Sequence, residues 1–540
     1  MSLNNQASAV GLLTFLAHAN TASLATVVVV ALVCGLILSE KLGTIGSEKT
    51  YLSKQRSNFT SWVKRRFLSW MYLLDGPSII QDGFDKADGN PFEINAPDNR
   101  YVFVSSTKHI KELDSAPDTV LSLQAASKQM LQPMYTMHGF NWFDRRGTEG
   151  VGFIRALRTL LTNNLPEILP DLSVIIRARF EELQATHRIE KETGRRYSPV
   201  YPMIVKLVVL SNAVSFFGKD LAKNEQFMKS ALDYVEETLI CAEIVKLLPT
   251  SLARIVGSII GRRLKSQEVI FNVLLPIAEE RCRERDLKAA GQAVPHHADC
   301  IQWIMETSPR SRPWTPKRII HELMAIWFGS VHALSTTITF AIHDLCLHPE
   351  YVQPLREELQ AGYAEFERTS KGLPLLDSFA KESARLTPVE SMSTRRSALK
   401  PFTLSDGTAV RPGEWACTPV RSIMQSPEYF PDPLEFRGFR FAEQREPGTE
   451  DSKGVDFRQP SPSKLTDAEH PWHVWGTGRM ACPGRFYAVA VMKVVLGQVI
   501  LNYNCELAEP EASRWMVWRS TMLPKASTAV IFTPVDEATQ

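Results

Sequence analysis

The sequence predicts one large domain, mainly α with small β-sheets, preceded by a single transmembrane helix. Three observations carry that expectation. Thr21 to Ser39 (TASLATVVVVALVCGLILS) holds no charged side chain, close to the roughly 20 apolar residues a membrane-spanning helix needs. Helical spacing of apolar residues dominates from about residue 150 to 390. Across the 540 residues neither an internal repeat nor a linker divides the chain into two cores.

Composition narrows the function classes. With 44% hydrophobic and 22% charged residues the chain reads as globular, and its net charge of +2 gives no sign of a nucleic-acid partner. The eight cysteines form no CxxC pair and no zinc-finger spacing with histidine. So few in so long a chain suit a reducing compartment.

In chain order, residues 1–20 contain no Lys, Arg, Asp or Glu, whereas Lys41, Lys49, Lys54, Arg56, Lys64, Arg65 and Arg66 follow the apolar stretch. The positive-inside rule then makes 1–20 luminal, 21–39 the anchor, and everything beyond it cytosolic. A cleaved signal peptide would want a charged start and a shorter apolar run. The sequon at Asn58 is expected to stay unglycosylated. Residues 40–75 form a basic, aromatic, membrane-proximal segment; WVKRRFLSWMYL within it suits either the membrane interface or a first helix packed on the domain. Residues 76–540 are expected to form the one large domain. Within it RYVFVSS (100–106) reads as a strand, β-branched pieces return between about 391 and 425, and the polar stretch Gln444 to His470 reads as a surface loop.

Only one cysteine sits in a motif: His473-Val474-Trp475-Gly476-Thr477-Gly478-Arg479-Met480-Ala481-Cys482-Pro483-Gly484-Arg485-Phe486, before an apolar helical run. Glycines at 476, 478 and 484 let backbone approach a flat group closely. A cysteine just before a helix start is biased toward thiolate by the dipole and free N–H groups. Pro483 suits a first helical turn, and Arg479 offers a cation for an anionic group.

This segment resembles the haem-binding loop of cytochrome P450 monooxygenases, FxxGxRxCxG. Gly478, Cys482 and Gly484 match; Trp475 stands for the usual Phe, and Met480 occupies the usual Arg position with Arg479 one residue earlier. The resemblance implies haem b ligated by Cys482, whose thiolate would push electron density that favours O–O cleavage. Further upstream, Glu382 and Arg385 share a helix face three residues apart. Arg440, in FRGFRF (436–441), resembles the family's third member of a structural triad with them. Arg396, with Arg395 as competitor, and Arg158, near Arg155, sit where the family commonly places arginines that bind haem propionates. Trp314 to Leu347 resembles the long helix above the haem, whose motif is (A/G)Gx(D/E)T. Counting back from His348-Pro349-Glu350 gives Gly329-Ser330-Val331-His332-Ala333. His332 thus takes the acid position, and Ala333 replaces the usual alcohol. Candidates for proton relay are His332, Ser335, Thr336, ordered water or a hydroxyl of the substrate; a core histidine and back-bonded hydroxyls are the bland alternatives.

ESARLTPVESMSTRRSALKPFTLSDGT and HPWHVWGTGRMACPGRF look most like fungal P450s of secondary metabolism. The resemblance implies a monooxygenase at the endoplasmic reticulum membrane acting on a lipophilic terpenoid or meroterpenoid. Electrons would come from NADPH through cytochrome P450 reductase, with cytochrome b5 as a further donor. Two rivals remain: an O2-independent isomerase or dehydratase, which Ala333 invites, and a non-catalytic haem-binding protein.

Overall fold

The computed structural model describes residues 59–137, 152–189, 195–309, 313–442 and 462–535. The expected anchor, 21–39, lies outside the described residues, as do most of the membrane-proximal segment and residues 444–461 of the polar stretch 444–470.

Helices account for most of the architecture, and their starts are legible locally. Asn224 caps Glu225–Leu247 by accepting from the Phe227 amide at 2.9 Å, Thr315 precedes Pro316 at the head of Pro316–Ser330, and Pro374 opens Pro374–Leu386. Three stretches, Val200–Phe217, Pro316–Leu347 and Arg485–Asn502, are apolar enough to cross a membrane by length and composition, yet each is largely buried inside the fold. Helices apolar on all faces are core helices here.

The expected single helix from 314 to 347 is two. Pro316–Ser330 ends and His332–Leu347 begins across Val331, whose backbone turns to φ −92, ψ −64. The broken turn is satisfied by side chains: Ser330 Oγ donates to Trp327 O at 2.8 Å, and Asn212 Nδ2 donates to the carbonyl and hydroxyl oxygens of Ser330, both at 3.1 Å. Asn212 Oδ1 in turn accepts from Tyr487 Oη at 3.1 Å.

Small sheets flank the helices. The largest runs, in spatial order, Phe92–Asn95, Arg100–Phe103, Trp415–Thr418, Ser393–Ala398, Leu121–Ser122, with only the second and third strands parallel. A second joins Tyr503–Leu507, Ala529–Pro534, Arg196–Pro199 and Arg188–Ile189. A hairpin, Trp515–Trp518 with Thr521–Pro524, closes over the interior.

The expected boundary at 76 follows a kink at Asp75 that divides Phe59–Ala87 into two helices, and Tyr72 and Leu73 just before the kink are buried. The helix packs on the hairpin, and its Tyr72 belongs to the core. Residues 462–470 are an irregular, exposed to half-buried loop pinned at one point, where Leu465 is fully buried and Lys381 Nζ donates to Ser463 Oγ and Lys464 O.

Candidate active site

Backbone geometry shapes the cysteine loop. Gly476 and Gly478 sit at φ +80 and +58, a region costly for residues with a Cβ. At Gly478 an added Cβ would also press to 3.0 Å from the Asp114 carboxylate. The Cys482 amide donates to Trp475 O at 2.8 Å, closing the loop, and Gly484 precedes the helix Arg485–Asn502. The thiol thus stands at a helix N-terminus. Burial pushes it up, while the Gly484 and Arg485 amides and the Arg485 guanidinium favour thiolate.

Cys482 borders a cavity of about 1670 Å³ that opens to the surface near Leu74 and Met134. Trp475, Gly476, Met480 and Gly484 line it on the same side, and Gly329, His332 and Ala333 line it from the broken helix. Arg396 lines it too; its guanidinium is almost wholly buried and its nearest carboxylate, Asp114, is 3.4 Å away. A thiol, close-approach glycines and a buried, loosely paired cation facing one cavity fit a haem with anionic edges.

Not every predicted arginine belongs to that wall. Arg479 turns outward, donating to Ala116 O and Asp118 Oδ1, each at 2.8 Å; the side chain at the wall is Met480. Arg158 lies in a π-helical turn, Ala156–Leu161, and braces the loop from outside through Arg479 O at 3.2 Å and Ala481 O at 3.5 Å. Neither lines the cavity. Arg395 does line it, held by an ion pair with Glu390.

Glu382, Arg385 and Arg440 come together as a buried network. Arg385 donates bidentately to Glu382 at 2.7 and 2.9 Å, and Arg440 Nε reaches the same carboxylate at 3.0 Å. The remaining guanidinium hydrogens go to carbonyls of Met424, Pro431, Pro433 and Glu435. Every charge therefore has partners, the condition under which such a network fixes geometry.

On the opposite wall the relay candidates separate. Ser335 Oγ bonds back to Val331 O at 2.8 Å, and neither Ser335 nor Thr336 lines the cavity. His332 does. Burial lowers it to about 4, so it is neutral near pH 7. Its Nδ1 is 3.4 Å from Tyr201 Oη, and its Nε2 is buried without a partner among the described residues. Thr337, one turn beyond Ala333, lines the cavity and donates to Ala333 O at 3.0 Å. Its i+4 spacing from Ala333 was the available signal for it; nothing in the sequence marked Tyr201 or Asn212.

Comparison with known proteins agrees with this geometry. The profile described as Cytochrome P450 matches residues 148–530. Cytochrome P450 monooxygenase 151 of Postia placenta is 29% identical over 478 residues, covering 85% of this chain and 89% of its own. Cytochrome P450 monooxygenase olcJ of Penicillium canescens is 28% identical over 506 residues, 89% of each. Cytochrome P450 monooxygenase paxP of Penicillium paxilli is 26% identical over 491 residues, 87% and 88%. In three dimensions the fold resembles retinoic acid bound cyanobacterial CYP120A1 (TM-score 0.60, 18% identity, 86% of this chain and 96% of that one). CYP102L1 is similar (TM-score 0.61, 16% identity, 87% and 96%). A family profile spanning most of the chain, closing on a cysteine loop and buried network of the kind just described, makes this protein a member of the cytochrome P450 family, a haem b monooxygenase of the oxidoreductase class.

Proposed function

We propose that this enzyme oxidises a lipophilic secondary metabolite of terpenoid or meroterpenoid type, using O2 and electrons delivered from NADPH by cytochrome P450 reductase, with cytochrome b5 as an accessory donor, at the endoplasmic reticulum membrane. The observation that carries the reading is the opening of the Cys482 thiol onto a cavity whose other walls include Phe216, Ile326, Phe328, Leu334 and Val517. Such a lining excludes water and favours an apolar skeleton. The similarity to named fungal monooxygenases supports the metabolite class, and the basic segment behind residues 21–39 supports the membrane.

Bound haem supplies thiolate-supported oxygen activation. The chain's own residues would do the rest. Cys482 would ligate the iron, and the buried Arg396 would face a propionate. Gly329 and Ala333 present little side chain, leaving room beside the break at Val331. With Ala333 lacking a hydroxyl, proton supply falls to His332, oriented by Tyr201, and to Thr337 with ordered water.

Feeding terpenoid candidates to microsomes that contain the full chain and a reductase tests this. Products heavier by oxygen, or desaturated, appear only with NADPH, reductase and O2. Turnover without them replaces monooxygenation by isomerisation or dehydration.

A further inference from the structure

Away from the cavity, two cysteines from distant parts of the chain meet. Cys346 lies in the last turn of the helix His332–Leu347, and Cys505 is the middle residue of Tyr503–Leu507, the edge strand of its sheet. Helix end and strand pack together, and the two thiols touch through a hydrogen bond. Both are free and half-buried, within reach of a small reagent, whereas Cys241, Cys282, Cys300 and Cys417 are buried. A disulfide needs its sulfurs about 2.05 Å apart. From hydrogen-bond contact that is a closing of side-chain torsions.

Their surroundings give the two sulfurs different parts. The hydrogen bond to Cys505, and after it burial, push the Cys346 thiol up, so Cys346 keeps its proton. Beside Cys505 stands the Arg356 guanidinium. It is fixed there, donating from Nε to Ile500 O at 2.9 Å and from Nη2 to Asn504 Oδ1 at 2.9 Å and Tyr503 O at 3.3 Å. A fixed cation steadies negative charge on a sulfur as it attacks.

The pair also has leverage on the cavity. His332–Leu347 starts at the cavity wall with His332 and Ala333 and runs out to Cys346. Arg485–Asn502 starts just after Cys482 and passes directly into the strand that carries Cys505. A bond between the two sulfurs would tie together the far ends of two helices whose near ends border the same cavity.

We propose that Cys346 and Cys505 form a reversible thiol–disulfide pair, closed by a small disulfide such as glutathione disulfide and opened by its thiol, and that the closed form clamps the helix after Cys482 to the helix bearing His332. Cys505 attacks one sulfur of glutathione disulfide, forming a mixed disulfide and releasing one glutathione. The thiol that held the Cys346 proton by hydrogen bonding is then gone. Cys346 gives up that proton, attacks the Cys505 sulfur and displaces the second glutathione. Two protein thiols are oxidised, one glutathione disulfide is reduced to two thiols, and these carry the two protons. The link closes a loop of about 160 residues, which removes much of the freedom of the unfolded chain.

Mass spectrometry and haem release test the pair without turnover. The haem-loaded full chain is equilibrated in mixtures of reduced and oxidised glutathione, free thiols are trapped with N-ethylmaleimide, and the digest is analysed. Peptides joined through Cys346 and Cys505 are expected to dominate when the pool is about nine-tenths oxidised and to vanish on return to reduced glutathione. The linked protein should lose haem in urea at least about threefold more slowly than the reduced protein. Cys346→Ser should stop at glutathione on Cys505 and lose haem at one rate in both pools. If Cys346→Ser lacks the thiolate-type carbonyl spectrum, Cys505→Ser takes its place and should likewise show no link and a single rate. No link at any ratio, a link no more frequent than those among the other cysteines, or a link that leaves haem loss unchanged overturns the clamp.

Discussion

The two walls of the cavity are built on opposite principles. On the Cys482 side the charged network is fully paired: loop amides close on carbonyls, Glu382 receives two arginines, and those arginines finish on backbone oxygens. On the facing side and across the roof, single buried nitrogens are left unpaired. His332 Nε2 and Arg519 Nη2 have no partner among the described residues, and the helix itself is broken at Val331. A wall that holds a fixed cofactor can be saturated in advance. A wall that met variable ligands and moved protons, as proposed for this one, would need capacity in reserve.

The sharpest way to break that contrast is at Cys482. Cys482→Ala should abolish the thiolate signature in the reduced carbonyl spectrum and all oxygenation; a surviving signature would reassign the ligand. Next in size is Glu382→Ala, which strands two buried guanidinium groups and should cost about 3–5 kcal/mol, read as a lower unfolding midpoint and poor haem retention. A cost under about 1 kcal/mol would mean that the network is dispensable.

Glu236, lining the open side, gives a smaller effect with a definite sign. Burial, reinforced by Asp233 and Glu237, raises its carboxyl from 4.5 to about 7. The folded state therefore binds the proton more tightly, so the stability it contributes is complete below pH 4.5 and is lost as pH rises to about 7. Glu236→Gln should flatten that slope and stabilise the fold at pH 8 by roughly 1–2 kcal/mol, measured by denaturant titration at both ends of the range. An unchanged slope would place its titration elsewhere. The smallest change expected is at Ala333. Ala333→Thr restores a hydroxyl beside Thr337 and should raise product formed per NADPH by about twofold, under 1 kcal/mol in barrier terms. Thr337→Val should lower it, and no response to either would remove Thr337 from proton delivery.

The same contrast explains what the sequence could reveal. Cys482, Gly476 and Gly478 were legible because they fall in one contiguous motif, the glycines at positions that take a positive φ, and Glu382, Arg385 and Arg440 through the resemblance that joins two distant segments. Side-chain direction was not. Arg479 beside the motif turns to Asp118 and leaves Met480 at the wall, and Arg158 braces the loop from outside. Helical spacing located 316–347 but not its interruption, since Val331 is compatible with helix and the break is held from another segment by Asn212. Arg519 and Tyr201 reach the site from strands and helices far apart in sequence, and no local pattern marks residues that meet only in three dimensions.

Asn212 has one further consequence. Its amide group holds Ser330, at the break, with one end and Tyr487, on the helix that follows Cys482, with the other. The clearance between cofactor floor and oxygen-side ceiling is thereby gauged by a side chain that lines neither. A substitution there would alter how thick a molecule the enzyme admits, and would be read in product selectivity although no residue facing the substrate had changed.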